Sequence, residues 1–175
     1  MHNKVVFRIA AGLVDAGMLT VRFNFRGVGA STGVHNEVEG GVEDVLDVLD
    51  YMGANYPGED LTLAGFSFGS RTSMEAGWDD PRVARLISVG TPVEKYRDYD
   101  FLVGVTKPIL FIHGDHDEFC SIDKLRTLTD SIPHAEVVIF ENSGHFFDDQ
   151  LDKLRETVRS WVAREIKTRL PGQAG

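Results

Sequence analysis

The chain has 175 residues, which is enough for one domain with a sizeable hydrophobic core. Its net charge of −9 argues against a surface that binds nucleic acid or an anionic membrane. One cysteine, Cys120, excludes an internal disulfide framework and is typical of a reducing compartment. The chain has no apolar run of membrane-spanning length and no signal-peptide core near its start, so we expect a cytoplasmic protein.

Helical and strand patterns alternate from the start of the chain. Apolar residues at helical spacing predict a helix over residues 3–16, with Gly17 as its C-terminal stop. Residues 19–25 alternate in polarity like a strand, and the glycine-rich residues 26–33 are predicted to form a loop. A second helix is predicted over residues 37–53.

The rest of the chain continues this alternation. Strands are predicted over residues 61–66, 85–90, 108–113 and 136–140, and helices over residues 68–76, 122–131 and 147–170. Because the strands are rich in Val, Ile and Leu, the pattern predicts an α/β fold in which helices cover both faces of a mostly parallel sheet. The chain has no internal repeat and no linker-like segment, so residues 1–175 are predicted to form a single domain.

The sequence Gly-Phe-Ser-Phe-Gly lies between a predicted strand and a predicted helix. This is the Gly-x-Ser-x-Gly pattern in the context that its chemistry needs. The sharp turn strains the serine backbone, so small residues are expected on both sides, here Gly65 and Gly69. Such a turn would hold Ser67 Oγ at its tip and aim the Phe68 N–H at an oxyanion. The alternative is a glycine-rich turn with an incidental serine.

Polar side chains follow three of the predicted strands. Ser67 follows one, Asp115 and Asp117 follow another, and His145 follows the last. Ligands bind at the carboxyl ends of parallel strands, so we expect these residues to lie near each other. The order Ser, Asp, His is that of a hydrolase triad, in which His145 would take the serine proton and an acid would fix its tautomer.

Each of these residues also has a structural alternative. Asp115 and Asp117 are suited to cap the following helix, and His145 is suited to an exposed loop. His113 is more typical of a packed, hydrogen-bonded residue, and His116 of a solvent-facing one. The histidines and acids lack a recognised metal spacing, so no metal is expected.

Residues 27–33, Gly-Val-Gly-Ala-Ser-Thr-Gly, are similar to a dinucleotide-binding fingerprint. However, three residues rather than two separate the second and third glycines. No acid ends a following strand at the required distance either. We therefore expect no nucleotide cofactor.

The motifs at residues 65–69, 113–117 and 143–147 resemble those of the α/β-hydrolase superfamily. Residues 22–33 resemble a loop of its dienelactone-hydrolase-like branch, and the likeness extends over essentially the whole chain. The resemblance implies a serine hydrolase that cleaves a carboxylic ester or related acyl bond through an acyl-enzyme, without a cofactor.

The same resemblance implies the role of each site residue. Ser67 would be the nucleophile, His145 the base and Asp117, rather than Asp115, the acid. The Phe68 N–H would be one oxyanion donor. In the family, the second donor comes from a loop after the third strand.

The resemblance further implies that the N-terminal strands of the family are missing here. At about 4.8 Å per strand, one absent strand between residues 19–25 and 61–66 would leave a gap of roughly 10 Å. The two strands would then close up, a partner strand would fill the gap, or Met1 would be an internal methionine of a longer protein. Loss of one oxyanion donor typically costs about 3–4 kcal/mol. The alternative function is therefore a non-catalytic α/β-hydrolase-like scaffold or truncated fragment with an incomplete oxyanion hole.

The expected partner is a small-molecule ester or acyl substrate. Neither a nucleic acid nor a membrane is expected as a partner. The sequence does not decide between a monomer and a homodimer. Residues 91–107 are too few for a large lid, which predicts an open site. The aromatic side chains that could line it are Phe68, Trp78, Tyr96, Tyr99, Phe101 and Phe119.

Overall fold

The computed structural model describes residues 3–35, 37–96 and 98–169. Its helices are α1 (Lys4–Asp15), α2 (Val38–Asn55), α3 (Phe68–Gly77), α4 (Ile122–Thr129) and α5 (Leu151–Arg169). Its strands are β1 (Leu61–Phe66), β2 (Val83–Val89), β3 (Ile109–Gly114) and β4 (Ala135–Phe140), and Asp100–Leu102 form a short 3-10 helix. These residues fall into two compact units, one of residues 3–23 and 147–169 and one of residues 24–146. The single domain remains a prediction.

In the first unit, α1 packs against α5. The Asn3 side chain accepts hydrogen bonds from the Val5 and Val6 N–H groups and so begins α1. The helices approach closely at Gly12, where an added Cβ would lie 2.5 Å from the Arg155 carbonyl oxygen. The apolar side chains buried in this unit include Val5, Ile9, Leu13, Leu154, Val158, Trp161 and Val162. The predicted first helix is confirmed.

The last helix begins later than predicted. It starts at Leu151, not at residue 147. Phe147 has a φ of 54°, in the left-handed region, which a right-handed helix does not accept. Its carbonyl accepts the Gln150 N–H in a turn that precedes the helix. Leu170, the predicted end, lies outside the described residues.

The second unit contains a four-stranded parallel sheet in the order β1-β2-β3-β4, flanked by helices. β2 and β3 are buried along their whole length, as expected for central strands of a covered sheet. The α/β fold class is confirmed. Because all four strands run the same way, their carboxyl ends lie at one edge, where Ser67 follows β1 and His145 follows β4.

Residues 19–25, predicted as a strand, are not one of the four strands that the described residues form. A strand requires a ladder of hydrogen bonds with a neighbour, and alternating polarity alone does not supply one. The apolar side chains of the alternation, Leu19 and Val21, are 63% and 46% exposed. That strand prediction was wrong.

Candidate active site

Ser67 occupies a strained turn between β1 and α3. Its φ of 52° lies in the left-handed region, and its N–H donates to the Val89 carbonyl at 2.9 Å. The turn is so tight that a Cβ on Gly65 would lie 2.1 Å from the Gly69 carbonyl oxygen. Only glycine therefore fits at position 65, as predicted.

The requirement for a small residue at position 69 is not seen. Outside its own helix, the atom nearest to an added Cβ on Gly69 is a Phe25 ring carbon at 3.7 Å, an ordinary van der Waals distance. The expectation that both glycines are needed was therefore wrong for Gly69. The turn leaves no room for a side chain at position 65, but it leaves room for one at position 69.

The N-terminus of α3 lies directly after Ser67. The Ser67 carbonyl accepts the Ser70 and Arg71 N–H groups, which is the start of the helical ladder. Phe68 is the first helical residue, and its N–H has no acceptor within the described residues. This N–H, at the positive end of the helix dipole, is suited to stabilise an anion.

Asp117 and His145 form a buried hydrogen-bonded pair. His145 Nδ1 lies 2.8 Å from Asp117 Oδ2, and both side chains are almost wholly buried. The other carboxylate oxygen, Oδ1, accepts the Phe119 N–H at 2.9 Å. An ionised carboxylate only accepts hydrogen bonds, so with Asp117 ionised the proton would lie on Nδ1 and Nε2 would be the free ring nitrogen.

Three aromatic rings surround His145. The Phe66, Phe119 and Phe146 ring centroids lie 4.7, 4.6 and 5.2 Å from the imidazole centroid. Phe66 immediately precedes Ser67, so the histidine packs against the serine turn. Within the described residues, His145 has a hydrogen bond to Asp117 and none to Ser67. The structure thus brings His145 and Asp117 together directly, and packs the imidazole against the residue that precedes Ser67.

The structural alternatives predicted for the other histidines and for the two acids hold only in part. His113 is fully buried and its Nε2 hydrogen-bonds the Cys120 carbonyl at 2.7 Å, while His116 is exposed; both predictions are confirmed. Neither acid caps α4, because its N-cap is Ser121. Asp115 instead accepts the Ser143 N–H at 3.0 Å, which lowers the pKa of its carboxyl group.

A family model described as serine aminopeptidase, S33, matches residues 1–103. The chain belongs to this family. Its predicted membership of the α/β-hydrolase superfamily is confirmed.

Solved structures agree with this assignment. An α/β serine hydrolase homologue from Coxiella burnetii is 38% identical, with a TM-score of 0.87, over 93% of this chain and 77% of that chain. XC6422 from Xanthomonas campestris, an α/β serine hydrolase without a lid, is 32% identical, with a TM-score of 0.84. The match covers 99% of this chain and 77% of that chain. The esterase domain of a Rhodothermus marinus protein shares the fold at 19% identity and a TM-score of 0.74, over 92% of this chain and 80% of that chain.

Of the six aromatic residues predicted to line the candidate site, Phe119 and Phe68 lie beside it, and Tyr96 lies near Phe68. Phe119 contacts His145, and the Phe68 ring lies 6.2 Å from that of Tyr96. Trp78 does not, because it follows the C-terminal end of α3, about 15 Å along the helix from Ser67. Sequence reasoning missed Phe66 and Phe146, although each is adjacent in the chain to a predicted site residue, Ser67 or His145.

Tyr99 and Phe101 pack against Arg71. The Arg71 guanidinium carbon lies 5.0 and 4.7 Å from their ring centroids, and Glu75 pairs with the same guanidinium. Tyr99 is buried, and burial raises the pKa of its hydroxyl. These two aromatic residues therefore hold their segment against α3, and Tyr99 belongs to the core rather than to an open wall.

The glycine-rich loop is held to α2 by bonds between Arg26 and two carboxylates. Arg26 Nε donates to Asp44 Oδ1 at 2.7 Å, its N–H donates to Asp44 Oδ2, and its Nη1 pairs with Glu43. Both acids lie on α2, so the loop is fastened to that helix. These negative side chains are unsuited to a phosphate group.

The described residues hold neither a membrane-spanning helix nor a cluster of metal ligands. Every helix among them is too short or too polar to cross a lipid bilayer. Their His, Cys, Asp and Glu side chains include no group of three or more arranged to hold a metal ion.

Proposed function

We propose that this chain is a serine hydrolase that cleaves a carboxylic ester or related acyl bond through Ser67, His145 and Asp117. The observation that carries the proposal is the buried Asp117–His145 hydrogen bond beside the strained serine turn. A buried carboxylate on Nδ1 has a clear chemical use, since it fixes the tautomer that leaves Nε2 free to accept a proton. No cofactor or metal takes part in the proposed reaction.

In the first half of the reaction, His145 Nε2 takes the proton of Ser67 Oγ as the oxygen attacks the substrate carbonyl carbon. The Phe68 N–H donates to the oxyanion of the tetrahedral intermediate. The carbon–oxygen bond to the leaving group then breaks, and His145 returns its proton to the leaving alcohol. Ser67 is left as an ester of the acyl group.

Water completes the cycle by the same steps in the same order. His145 takes a proton from water, the hydroxyl oxygen attacks the acyl carbon, and Ser67 Oγ leaves with the proton from His145. The products are a carboxylic acid and free enzyme. The absence of a Ser67–His145 hydrogen bond without substrate is compatible with this role, because such bonds often tighten only in the substrate complex.

The Phe68 N–H is the proposed oxyanion donor, and its lack of an acceptor among the described residues supports this role. Removal of one of two such donors typically lowers kcat by about 10²–10³-fold. If this N–H acts without a second donor, turnover would be slow compared with a hydrolase that has two.

The rings around His145 favour apolar substrate groups. Phe119 and Phe146 are 40% and 45% exposed, and both contact the imidazole. Exposed aromatic faces next to the reacting atoms favour small esters with apolar groups over charged ones. The chain shares its fold with an esterase domain, which supports cleavage of an ester but does not identify the ester.

The test is hydrolysis of p-nitrophenyl acetate and butyrate by the purified chain. We expect turnover by the wild type and by Ser131→Ala, which removes an exposed serine outside the site, and none above background by Ser67→Ala. The competing account is a non-catalytic scaffold, because Ser67 has no hydrogen bond to His145 within the described residues. Equal rates in folded wild type and Ser67→Ala would favour that account.

A further inference from the structure

The loop that carries His145 is out of register with the strand that precedes it. In the β3–β4 ladder, Gly114 pairs with Phe140. If that register continued, Asp117 would face Ser143, two residues short of His145. The observed pairing of Asp117 with His145 therefore needs two extra residues in the second loop.

Glu141 and Asn142 are these two residues. Asn142 has a φ of 55°, in the left-handed region, so the chain turns there. Beyond the turn the loops run side by side again, with Asp115 bonded to Ser143 and Asp117 to His145. The shift of register is what brings the base to its acid.

Asp115 holds the loop immediately after this turn. Its Oδ1 accepts the Ser143 N–H at 3.0 Å, and its own N–H donates to the Phe140 carbonyl at 3.1 Å. Asp115 therefore bonds both sides of the extra residues. The Ser143 carbonyl in turn accepts the His116 N–H at 2.9 Å.

The close approach of the loops leaves little freedom for another arrangement. An added Cβ on Gly114 would lie 2.2 Å from the Ser143 carbonyl oxygen. Ser143 is itself buried. The position of Ser143 is thus determined by backbone contacts on one side and by the Asp115 carboxylate on the other.

We propose that Asp115 is a positioning residue for the hydrolase reaction: it holds the shifted register that places His145 on Asp117. The inference rests on the proposed function for its catalytic consequence. Asp115 lies two residues before Asp117, and its partner Ser143 lies two residues before His145. Without its acceptor, the His145 loop loses the side-chain bond to Ser143 that holds the shifted register, and we expect it to move relative to Asp117.

Three variants separate positioning from general stability. Asp115→Ala removes the acceptor. Asp115→Asn keeps an acceptor oxygen without the charge. Glu118→Ala removes a neighbouring exposed acid and is the matched control.

Two readouts apply to each variant. The first is kcat and KM for a p-nitrophenyl ester. The second is the downfield NMR resonance of the proton on His145 Nδ1, assigned by its loss in His145→Gln. This resonance reports the Asp117–His145 hydrogen bond whether or not the protein turns over substrate.

For Asp115→Ala we expect a folded protein whose kcat falls about tenfold to a hundredfold with KM little changed, the size expected of a displacement near 1 Å. The His145 resonance should broaden or disappear. Asp115→Asn and Glu118→Ala should keep both the rate and the resonance. A purely stabilising Asp115 would lower the unfolding temperature of Asp115→Ala and leave kcat and the resonance intact.

Other outcomes also decide the matter. A folded Asp115→Ala with unchanged kcat and resonance would overturn the proposal. It would also be overturned if Asp115→Asn lost as much kcat and resonance as Asp115→Ala. If the wild type hydrolyses no ester, the proposed function fails, and the resonance alone decides whether Asp115 positions His145. If Asp115→Ala does not fold, Asp115→Ser, whose hydroxyl stops short of the carboxylate position, takes its place under the same criteria.

Discussion

Gly90 lies directly against the His145 imidazole. A Cβ on Gly90 would be 3.0 Å from His145 Cε1 and 3.1 Å from Nδ1. Gly90 follows β2 and has a φ of 58°, where glycine is favoured. The backbone at the end of β2 thus packs directly against the His145 imidazole, the proposed base.

Gly90→Ala should displace His145 from Asp117. We expect kcat for a p-nitrophenyl ester to fall about a hundredfold, since small misplacements of a base are costly. The left-handed φ should also destabilise the fold by about 1–2 kcal/mol. Gly104→Ala is the control for strain alone, because Gly104 has a φ of 81° with no atom within 4 Å of an added Cβ. Equal effects on kcat in both variants would contradict the specific contact.

The two glycines that flank Ser67 should respond differently to substitution. Gly65→Ala would force a Cβ against the Gly69 carbonyl, which is backbone and cannot turn aside. Overpacking of this kind costs typically 1–3 kcal/mol or more. Gly69→Ala should keep the wild-type unfolding temperature to within a few degrees and retain activity. Thermal unfolding of both variants checks this, and a strong effect of Gly69→Ala would show that the turn itself requires glycine there.

Asp117→Asn should lower kcat by about 10³–10⁴-fold while leaving the fold intact. The amide NH₂ would donate to His145 Nδ1 and so place the imidazole proton on Nε2, the wrong nitrogen for a base. The Phe119 N–H would still find an acceptor oxygen, so the loop should keep its shape. Asp123→Asn, an exposed acid in the first turn of α4, is the control. Steady-state kinetics of the two variants decide the role of Asp117.

Much of this architecture could be predicted from periodicity and motif, and the failures have physical causes. The elements that flank the serine motif, β1 and α3, were predicted to within a residue. The start of α5 was missed because the left-handed backbone of Phe147 carries no signature in its side chain. Residues 19–25 have the alternation of a strand, yet pairing is decided by neighbours that a local pattern does not reveal.

In the candidate site, too, some features could be predicted from motifs and others could not. Ser67 is recognisable because a strained turn demands glycine before it. The choice between Asp115 and Asp117 depended on family resemblance, because both follow the same strand. The structure shows one acid on His145 and the other on the loop that carries it. Phe66 and Phe146 are chain neighbours of Ser67 and His145, but their packing against the imidazole is a tertiary contact that the motifs do not specify.

Cys120 should be unreactive in the folded protein. Burial raises the pKa of its thiol to about 11, above the ordinary value of about 8.5. Alkylation by iodoacetamide at pH 8, followed by mass spectrometry, should be slow until the protein unfolds. Rapid labelling of native protein would contradict this burial.

The same shift predicts a pH dependence of stability. A raised thiol pKa favours the folded state fully below about 8.5, and the contribution is lost as pH rises towards about 11. The unfolding temperature of the wild type should therefore fall more steeply over that range than that of Cys120→Ala. Parallel curves for the two proteins would show that the thiol does not contribute.

The central claim is that Ser67 is a nucleophile activated by His145 and Asp117. Its most direct test is reaction of the folded chain with a fluorophosphonate probe, followed by peptide mapping of the adduct. The account predicts a single adduct on Ser67, slowed strongly in His145→Gln and absent in Ser67→Ala. A folded wild-type chain that takes up no probe, or takes it up elsewhere, would contradict it.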